Sequence, residues 1–169
     1  MILILYAQPY QIGVEGFFFR SIDEWEQKYP AIKDQDSNQV EEFEIQFIEG
    51  DDLECALAKT WGLTQANFKR FFEVAEEWDH YAKISFIIAV GEVGYNFDPE
   101  TLTSSDYDVD IYFVDSMREL AEQFIEEGVL GEIPKVLECY IDIGKFAYDL
   151  SFEYTEIEIA NTKLVYRCR

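Results

Sequence analysis

Apolar and polar residues alternate with a period of two near both ends of the chain, which is typical of half-buried β-strands. The segment Glu41–Ile48 alternates aromatic or branched residues with acidic ones. Asp106–Phe113 repeats this pattern, so its three aspartates are expected on one face of a strand. The apolar run Met1–Tyr6 and the segment Phe152–Tyr166, with a turn at Asn161-Thr162, predict further strands. The sequence therefore predicts short antiparallel sheets in the first and last parts of the chain.

The middle of the chain has helical periodicity instead. Apolar residues recur at helical spacing over residues 53–61 and stop at Gly62, a residue type that commonly follows a helix. Thr64 is predicted to cap the next helix, and Asp98-Pro99-Glu100 to begin another. The apolar run Ile84–Val90 is too short for periodicity to distinguish a helix from a strand.

Capping boxes predict two more helices, at Ser21-Ile22-Asp23-Glu24 and Ser116-Met117-Arg118-Glu119, and Pro134 opens a third, short one. The predicted fold class is α+β, with mixed short antiparallel sheets and helices and a helical middle. We expect three small domains: an N-terminal α+β domain over residues 1–60, a mostly helical domain over 61–103, and a C-terminal α+β domain over 104–169.

The net charge of the chain indicates the kind of partner that it binds. The chain has 35 acidic and 13 basic residues, a formal net charge of −22 and a pI near 4.1. Such acidity often accompanies disorder, but 49% of the residues are hydrophobic and 17% are aromatic, which is enough to build a core. The acid is spread along the whole chain rather than collected in one tail. It must then cover a folded body, and its self-repulsion indicates a basic partner.

The same charge argues against two partners, because nucleic acids and membrane surfaces are themselves anionic. No apolar run approaches the roughly 20 residues that a membrane helix needs. The apolar start has no basic region before it, so no secretory signal is expected. The three cysteines are odd in number and far apart, which fits a reducing cytoplasm better than a disulfide framework.

Candidate catalytic and metal chemistry is sparse. Asp106, Asp108 and Asp110 have the spacing of the first calcium-loop ligands, but Ile111 and Met117 stand where that loop needs Gly and Glu. His80 is the single histidine, so a catalytic triad or a two-histidine metal site lacks members. We therefore predict no catalytic residues, no metal and no cofactor, and favour a non-enzymatic protein.

Two explanations of the distributed acid remain. One is a soluble protein from a salty habitat, in which surface acid serves hydration. The other is imitation of DNA: 22 charges correspond to roughly 37 Å of duplex, close to the length of a compact body of this size. The predicted acidic surface comprises Glu41, Glu42, Glu44, Glu49, Asp51, Asp52, Asp106, Asp108, Asp110, Asp115, Glu119, Glu122, Glu126 and Glu127.

One stretch resembles the antirestriction motif of the ArdA family. It comprises Leu130-Gly131-Glu132-Ile133-Pro134, Tyr140-Ile141-Asp142 and Phe146-Ala147-Tyr148-Asp149-Leu150. The family pattern is Leu-Gly-(acidic)-x-Pro, Tyr-(Ile/Leu)-Asp, and an aromatic residue followed by Gly-Arg-Asp-Leu, at the same spacing. Ala147 and Tyr148 replace the Gly and the Arg. The close similarity covers residues 119–150.

The resemblance implies an elongated dimer of small domains that mimics B-form DNA, carried on a mobile genetic element in a bacterial cytoplasm. It implies a partner, the DNA-binding groove of a Type I restriction-modification enzyme. It also implies a motif that contributes to the dimer contact through Leu130, Gly131, Glu132, Pro134, Tyr140, Ile141, Asp142, Phe146, Asp149 and Leu150. The alternative is an acidic inhibitor or immunity-type protein for another basic nuclease or defence complex.

Overall fold

The chain has an α+β fold in the computed structural model, which describes residues 3–169. Two three-stranded antiparallel sheets stand near the two ends of the sequence, with a helical segment between them. The predicted fold class is confirmed. The first two residues of the predicted strand Met1–Tyr6 lie outside the described residues.

The chain divides into two compact units, one up to Tyr107 and one from Asp108 to Arg169. The predicted domain boundary between residues 60 and 61 falls inside a helix of the first unit. The boundary predicted at residue 104 precedes the observed division by four residues. Separate folding of three domains stays a prediction.

The first sheet has the strand order β2-β1-β3, with β1 at Ile4–Pro9, β2 at Phe17–Phe19 and β3 at Phe43–Glu49. The register partners Leu5 on β1 and Phe19 on β2 are fully buried, because they lie on the face of the sheet that packs on the core.

Helix α1 (Ile22–Lys28) covers the buried face of this sheet and ends in a 3₁₀ turn at Tyr29–Ala31. Its Trp25 ring lies 5.1 Å from the Phe19 ring and 5.5 Å from the Phe43 ring. These contacts build an aromatic core between the helix and the sheet.

Three helices form the middle of the chain: α2 at Asp52–Trp61, α3 at Phe68–Glu77 and α4 at His80–Phe86. Helix α4 continues into a π-helix at Ile87–Glu92. The apolar run Ile84–Val90, whose periodicity did not distinguish a helix from a strand, is therefore helical. Helix α2 ends at Gly62 with a left-handed φ of 64°, as its sequence predicts.

Two helix starts were predicted wrongly. The Thr64 side chain does not cap α3, which begins only at Phe68 after an intervening turn. The Thr64 N–H instead donates to Asn67 Oδ1 at 2.8 Å. Asp98-Pro99-Glu100 forms a single turn, in which the Asp98 carbonyl accepts from the N–H groups of Thr101 and Leu102. Leu102 is buried directly afterwards, which takes the chain away from a helical path.

The second unit begins with β4 (Val109–Tyr112), followed by α5 (Met117–Glu126), α6 (Lys135–Glu138) and α7 (Ile143–Leu150). Strands β5 (Thr155–Ile159) and β6 (Thr162–Cys168) complete a sheet of order β4-β6-β5. The turn between β5 and β6 has positive φ at both Ala160 and Asn161, the backbone of a tight hairpin. The core of the second unit includes Leu120, Phe124, Ala147, Tyr154 and Val165.

Candidate functional site

Acidic side chains are spread over the described surface of the chain. Of the 35 aspartates and glutamates, 30 are exposed, four are half-buried and Glu54 alone is buried. The buried residues are otherwise almost all apolar. The fold thus separates an apolar interior from a carboxylate-covered exterior in both units.

Strand β3 carries the first part of the predicted acidic surface. Phe43 and Ile45 are buried while Glu44 is exposed, as the alternation predicts. Gln65 fixes the start of the strand, because its Oε1 accepts from the Phe43 N–H at 2.8 Å and its Nε2 donates to the Glu41 carbonyl at 2.8 Å. This anchoring holds the acidic residues around the start of β3 on a rigid edge.

The acidic residues after β3 belong to the start of α2. Asp51 caps this helix, since its Oδ1 accepts from the Glu54 N–H at 2.8 Å, and the Glu54 Oε2 accepts from the Asp51 N–H at 3.1 Å. Burial raises the pKa of Glu54 above its ordinary value, against the effect of that backbone hydrogen bond. Glu54 therefore serves the helix cap, while Asp51 and Asp52 are exposed members of the acidic surface.

The aspartates at 106, 108 and 110 do not share one strand face, and that prediction was wrong. Strand β4 begins at Val109 because Asp106 closes a turn, accepting from the Thr103 hydroxyl at 2.6 Å and from the Thr103 N–H at 2.9 Å. These two hydrogen bonds lower the pKa of Asp106 below its ordinary value. Asp106 and Asp108 remain exposed on the loop that precedes the strand.

Asp110 is engaged by two arginines of the neighbouring strand. Its Oδ2 lies 2.9 Å from Arg167 Nη2 and 2.9 Å from Arg169 Nε. Burial opposes ionisation, but the hydrogen bonds from these guanidinium groups outweigh it and hold the pKa of Asp110 below its ordinary value. Arg167 is the β6 register partner of Asp110, so the sheet brings the two side chains together. Asp110 is therefore a locally neutralised member of the predicted set.

Helix α5 carries the remaining acidic residues. Ser116 caps it by accepting from the Glu119 N–H at 3.3 Å, so the predicted serine cap is confirmed. The reciprocal bond of the predicted capping box is shifted by one residue, because Glu119 Oε2 accepts from the Asp115 N–H at 2.7 Å. Leu120 and Phe124 face the core, whereas Asp115, Glu119, Glu126 and Glu127 are exposed and Glu122 is half-buried. The amphipathic helix thus presents a row of carboxylates to solvent.

The basic residues are too few to neutralise this surface. Seven of the 13 lysines and arginines form ion pairs with carboxylates of the described chain: Arg20, Lys28, Lys69, Arg70, Arg118, Arg167 and Arg169. Lys83 is buried, and its Nζ donates to the Ala75 carbonyl at 2.7 Å. Exposed acid therefore dominates the field around the molecule.

The motif segment Leu130–Leu150 divides between core and surface. Phe146 and Leu150 pack against the core of the second unit, and Asp142 caps α7 by accepting from the Lys145 N–H at 3.0 Å. Leu130 and Tyr140 are 62% and 79% exposed. Among the other motif residues, Ile141 is half-buried and the rest are exposed, namely Gly131, Glu132, Pro134 and Asp149.

The two departures from the family pattern lie in different surroundings. Ala147 is buried in the core, so its methyl group contributes to packing. Tyr148 is 64% exposed and its ring lies 5.1 Å from the ring of Phe152, which is 71% exposed. With Val136 and Leu137, these exposed rings leave considerable apolar surface on the second unit.

Sequence reasoning missed an aromatic pair on the outer face of the first sheet, formed by half-buried Tyr6 and exposed Phe18. The Tyr6 and Phe18 rings lie 4.7 Å apart on register partners of β1 and β2. The signal was present, because the middle residue of Phe17-Phe18-Phe19 must face opposite to its neighbours in a strand.

Residues 3–169 include one histidine and three cysteines. The structure brings together no group of three or more His, Cys, Asp or Glu side chains that could hold a metal ion in this range. Cys55 and Cys139 are exposed free thiols, and burial raises the pKa of the Cys168 thiol. No helix in the described part of the chain has the length and apolar character needed to cross a membrane.

Comparisons with known proteins leave the acidic surface as the principal basis for a function. No protein family model matches the chain, and no curated protein matches it at a significant level. The ArdA resemblance therefore stays a prediction that rests on the motif residues alone.

Proposed function

We propose that this protein is an antirestriction protein that mimics B-form DNA and blocks the DNA-binding groove of a Type I restriction-modification enzyme. The observation that carries the proposal is the exposure of 30 of 35 carboxylates on a folded, apolar-cored body. The surface carboxylates stand in for phosphates, and the lysines and arginines of the enzyme groove are their partners. The motif resemblance narrows the class of enzyme.

The proposed action is binding without chemistry, in the cytoplasm of a bacterial host. No cofactor or metal is required, because electrostatic complementarity to a basic groove supplies the interaction. Many carboxylates contribute, each by a small amount, as is usual for exposed charges.

Competition with DNA tests this function. A fluorescent duplex with the recognition sequence is bound to a purified Type I enzyme, and anisotropy is followed as the chain is added. We expect stoichiometric displacement of the duplex. A matched variant with Glu41, Glu42, Glu44, Glu119, Glu126 and Glu127 changed to Gln should displace it far less. Inhibition without displacement would support the alternative, an inhibitor that binds outside the groove.

We also propose that the chain acts as a homodimer through the second unit. The exposed Leu130, Val136, Leu137 and Tyr140 give apolar surface next to acidic residues, a usual property of protein interfaces. Most homo-oligomers are two-fold dimers, in which the same surface faces itself.

Sedimentation of the wild type and of Tyr140→Asp at two salt concentrations tests the dimer. The wild type should dimerise more strongly at the higher salt, because salt screens repulsion between two anionic chains. Tyr140→Asp should be monomeric at both. A wild-type monomer at tens of micromolar concentration in both salts would contradict the dimer.

A further inference from the structure

A groove of about 610 Å³ lies in the second unit, between the C-terminal end of α5, the loop after it and the start of α7. Four half-buried isoleucines provide its apolar lining: Ile125, Ile133, Ile141 and Ile143. Gly128 and Gly131, both with positive φ, turn the chain twice after α5, so the loop stands away from the helix and leaves the space open. The volume is within the range of sites that bind ligands or anchoring side chains.

Five glutamates line the groove beside these isoleucines: Glu122, Glu126, Glu127, Glu132 and Glu138. Lys135 is the one basic side chain among the lining residues. The charge of Glu122 is partly offset, since Arg118 Nε lies 3.1 Å from its carboxylate, whereas Glu127 accepts from the neutral Gln123 amide at 2.7 Å and keeps its charge. The groove therefore combines an apolar lining with a strongly anionic surround.

This combination differs from the rest of the acidic surface. On strand β3, Glu44 lies between buried Phe43 and Ile45, and Ile48, which is 47% exposed, is the one exposed apolar side chain of that strand. A phosphate-like surface needs charge alone, whereas four accessible isoleucines offer contacts to apolar side chains. The groove adjoins the proposed dimer contact: the motif residues Gly131, Glu132 and Ile141 line it. The exposed apolar residues Val136, Leu137 and Tyr140, which carry the dimer proposal, do not line it.

We propose that this groove binds a basic amphipathic segment of the partner protein. Its apolar side chains would occupy the space over the isoleucines, and its arginines or lysines would pair with the surrounding glutamates. Charge complementarity selects this occupant, because five carboxylates against one ammonium repel nucleic acid and acidic peptides. The inference rests on the proposed function for the partner, since a protein with a DNA-binding groove carries basic segments beside it.

A synthetic peptide tests the groove directly, without the enzyme. The probe is a helical peptide of about 12 residues with Leu on one face and Arg on the other, and its control has the same composition with the two faces scrambled. Titration calorimetry with the full chain should give a Kd for the amphipathic peptide about tenfold lower than for the scrambled one. Equal affinities would show attraction by net charge only and would overturn the proposal.

Matched variants locate the binding. Glu126→Gln, Glu132→Gln and Glu138→Gln together should weaken peptide binding about tenfold, whereas Glu41→Gln, Glu42→Gln and Glu44→Gln remove the same charge elsewhere and should weaken it less than about threefold. Ile133→Ser should abolish the preference for the amphipathic peptide, and Ile12→Ser, at a 95% exposed position, should retain it.

Circular dichroism checks that each variant folds. Equal losses in the two triple variants would overturn the proposal, as would a dimer weakened by the groove variants, which would assign the groove to a second copy.

The two proposals fail separately. If the chain displaces DNA from the enzyme but does not distinguish the two peptides, the groove is not a peptide site and the DNA mimic stands. If the amphipathic peptide binds in the groove but the chain does not displace DNA, the groove is a peptide site and the DNA-mimic proposal fails.

Discussion

Glu44 illustrates how each acidic residue contributes to the proposed surface. It is exposed on the outer side of β3, between buried Phe43 and Ile45, and its loss leaves the core unchanged. Because exposed charges each contribute about 1 kcal/mol or less, Glu44→Gln should change the affinity for the target enzyme less than about fivefold. Inhibition assays of single and combined variants measure this. A single substitution that abolishes inhibition in a folded chain would instead indicate a localised site.

Asp110 differs from the other predicted acidic residues because two arginines pair with it, and we expect it to stabilise the second unit. Its pKa is held below the ordinary value by Arg167 and Arg169, so its ionised form favours the folded state. Asp110→Asn should lower the free energy of unfolding by about 1 kcal/mol at neutral pH. A depressed folded-state pKa gives stability that is lost as the pH falls, so the difference from wild type should shrink below about pH 4.

Urea unfolding of both proteins at several pH values checks this expectation. Asp108→Asn is the matched control, because it removes the same charge at an exposed position and should leave the free energy of unfolding nearly unchanged. A difference for Asp110→Asn that grows towards low pH would contradict the account.

At the residue scale, the sequence predicted which acidic residues are exposed more readily than what they contact. Alternation placed Glu44 outward, because one face of a strand must be buried. It could not show that Thr103 closes a turn on Asp106, because that side-chain bond ends the strand pattern before β4 begins. The pairing of Asp110 with Arg167 depends on β-strand register across 57 residues, which a local pattern does not contain.

The two serine caps were predicted correctly from the sequence, whereas the Thr64 cap was not. Ser116 caps the start of α5 by accepting from the Glu119 N–H. Ser116→Ala should lower the stability of the second unit by about 1 kcal/mol, because it leaves the Glu119 N–H without its acceptor. Thermal unfolding measures the loss, and Ser104→Ala in an exposed turn is the control. Equal stability of the two variants would show that solvent replaces the cap at no cost.

Elements without such local signals were harder to predict. The apolar run Ile84–Val90 is buried on nearly all sides, so its sequence has no polar face to reveal a period. The shift from α4 to a π-helix at Ile87 depends on packing around residues such as Phe86 and Ile88. Asp98-Pro99 carries a helix-start signal, but burial of Leu102 overrides it. Tertiary packing decided each of these cases.

At the scale of the whole molecule, composition predicted the separation of charge from core, because 49% hydrophobic residues can be buried only if the carboxylates stay outside. The division into two compact units was not predicted, since it follows from contacts between residues distant in sequence. The groove beside α5 was also missed, because its isoleucines are spread over residues 125–143 and share no local period.

At the scale of the whole molecule, the net charge of −22 makes the salt dependence of binding a direct test of the DNA-mimic proposal. If carboxylates replace phosphates, added salt should weaken the complex with the enzyme, because it screens the attraction to lysine and arginine. The logarithm of the affinity should fall steeply against the logarithm of salt between about 50 and 200 mM, with a shallower slope than DNA gives, since a protein lacks the condensed counterions of a duplex. Titration calorimetry at four salt concentrations measures the slope. The control is the variant in which six glutamates are changed to Gln, and it should show a smaller slope because fewer carboxylates engage the DNA-binding groove of the enzyme. Its changed residues are Glu41, Glu42, Glu44, Glu119, Glu126 and Glu127. An affinity that stays constant over this range would contradict a DNA mimic, whereas self-association of the free chain should strengthen with salt and so change in the opposite direction.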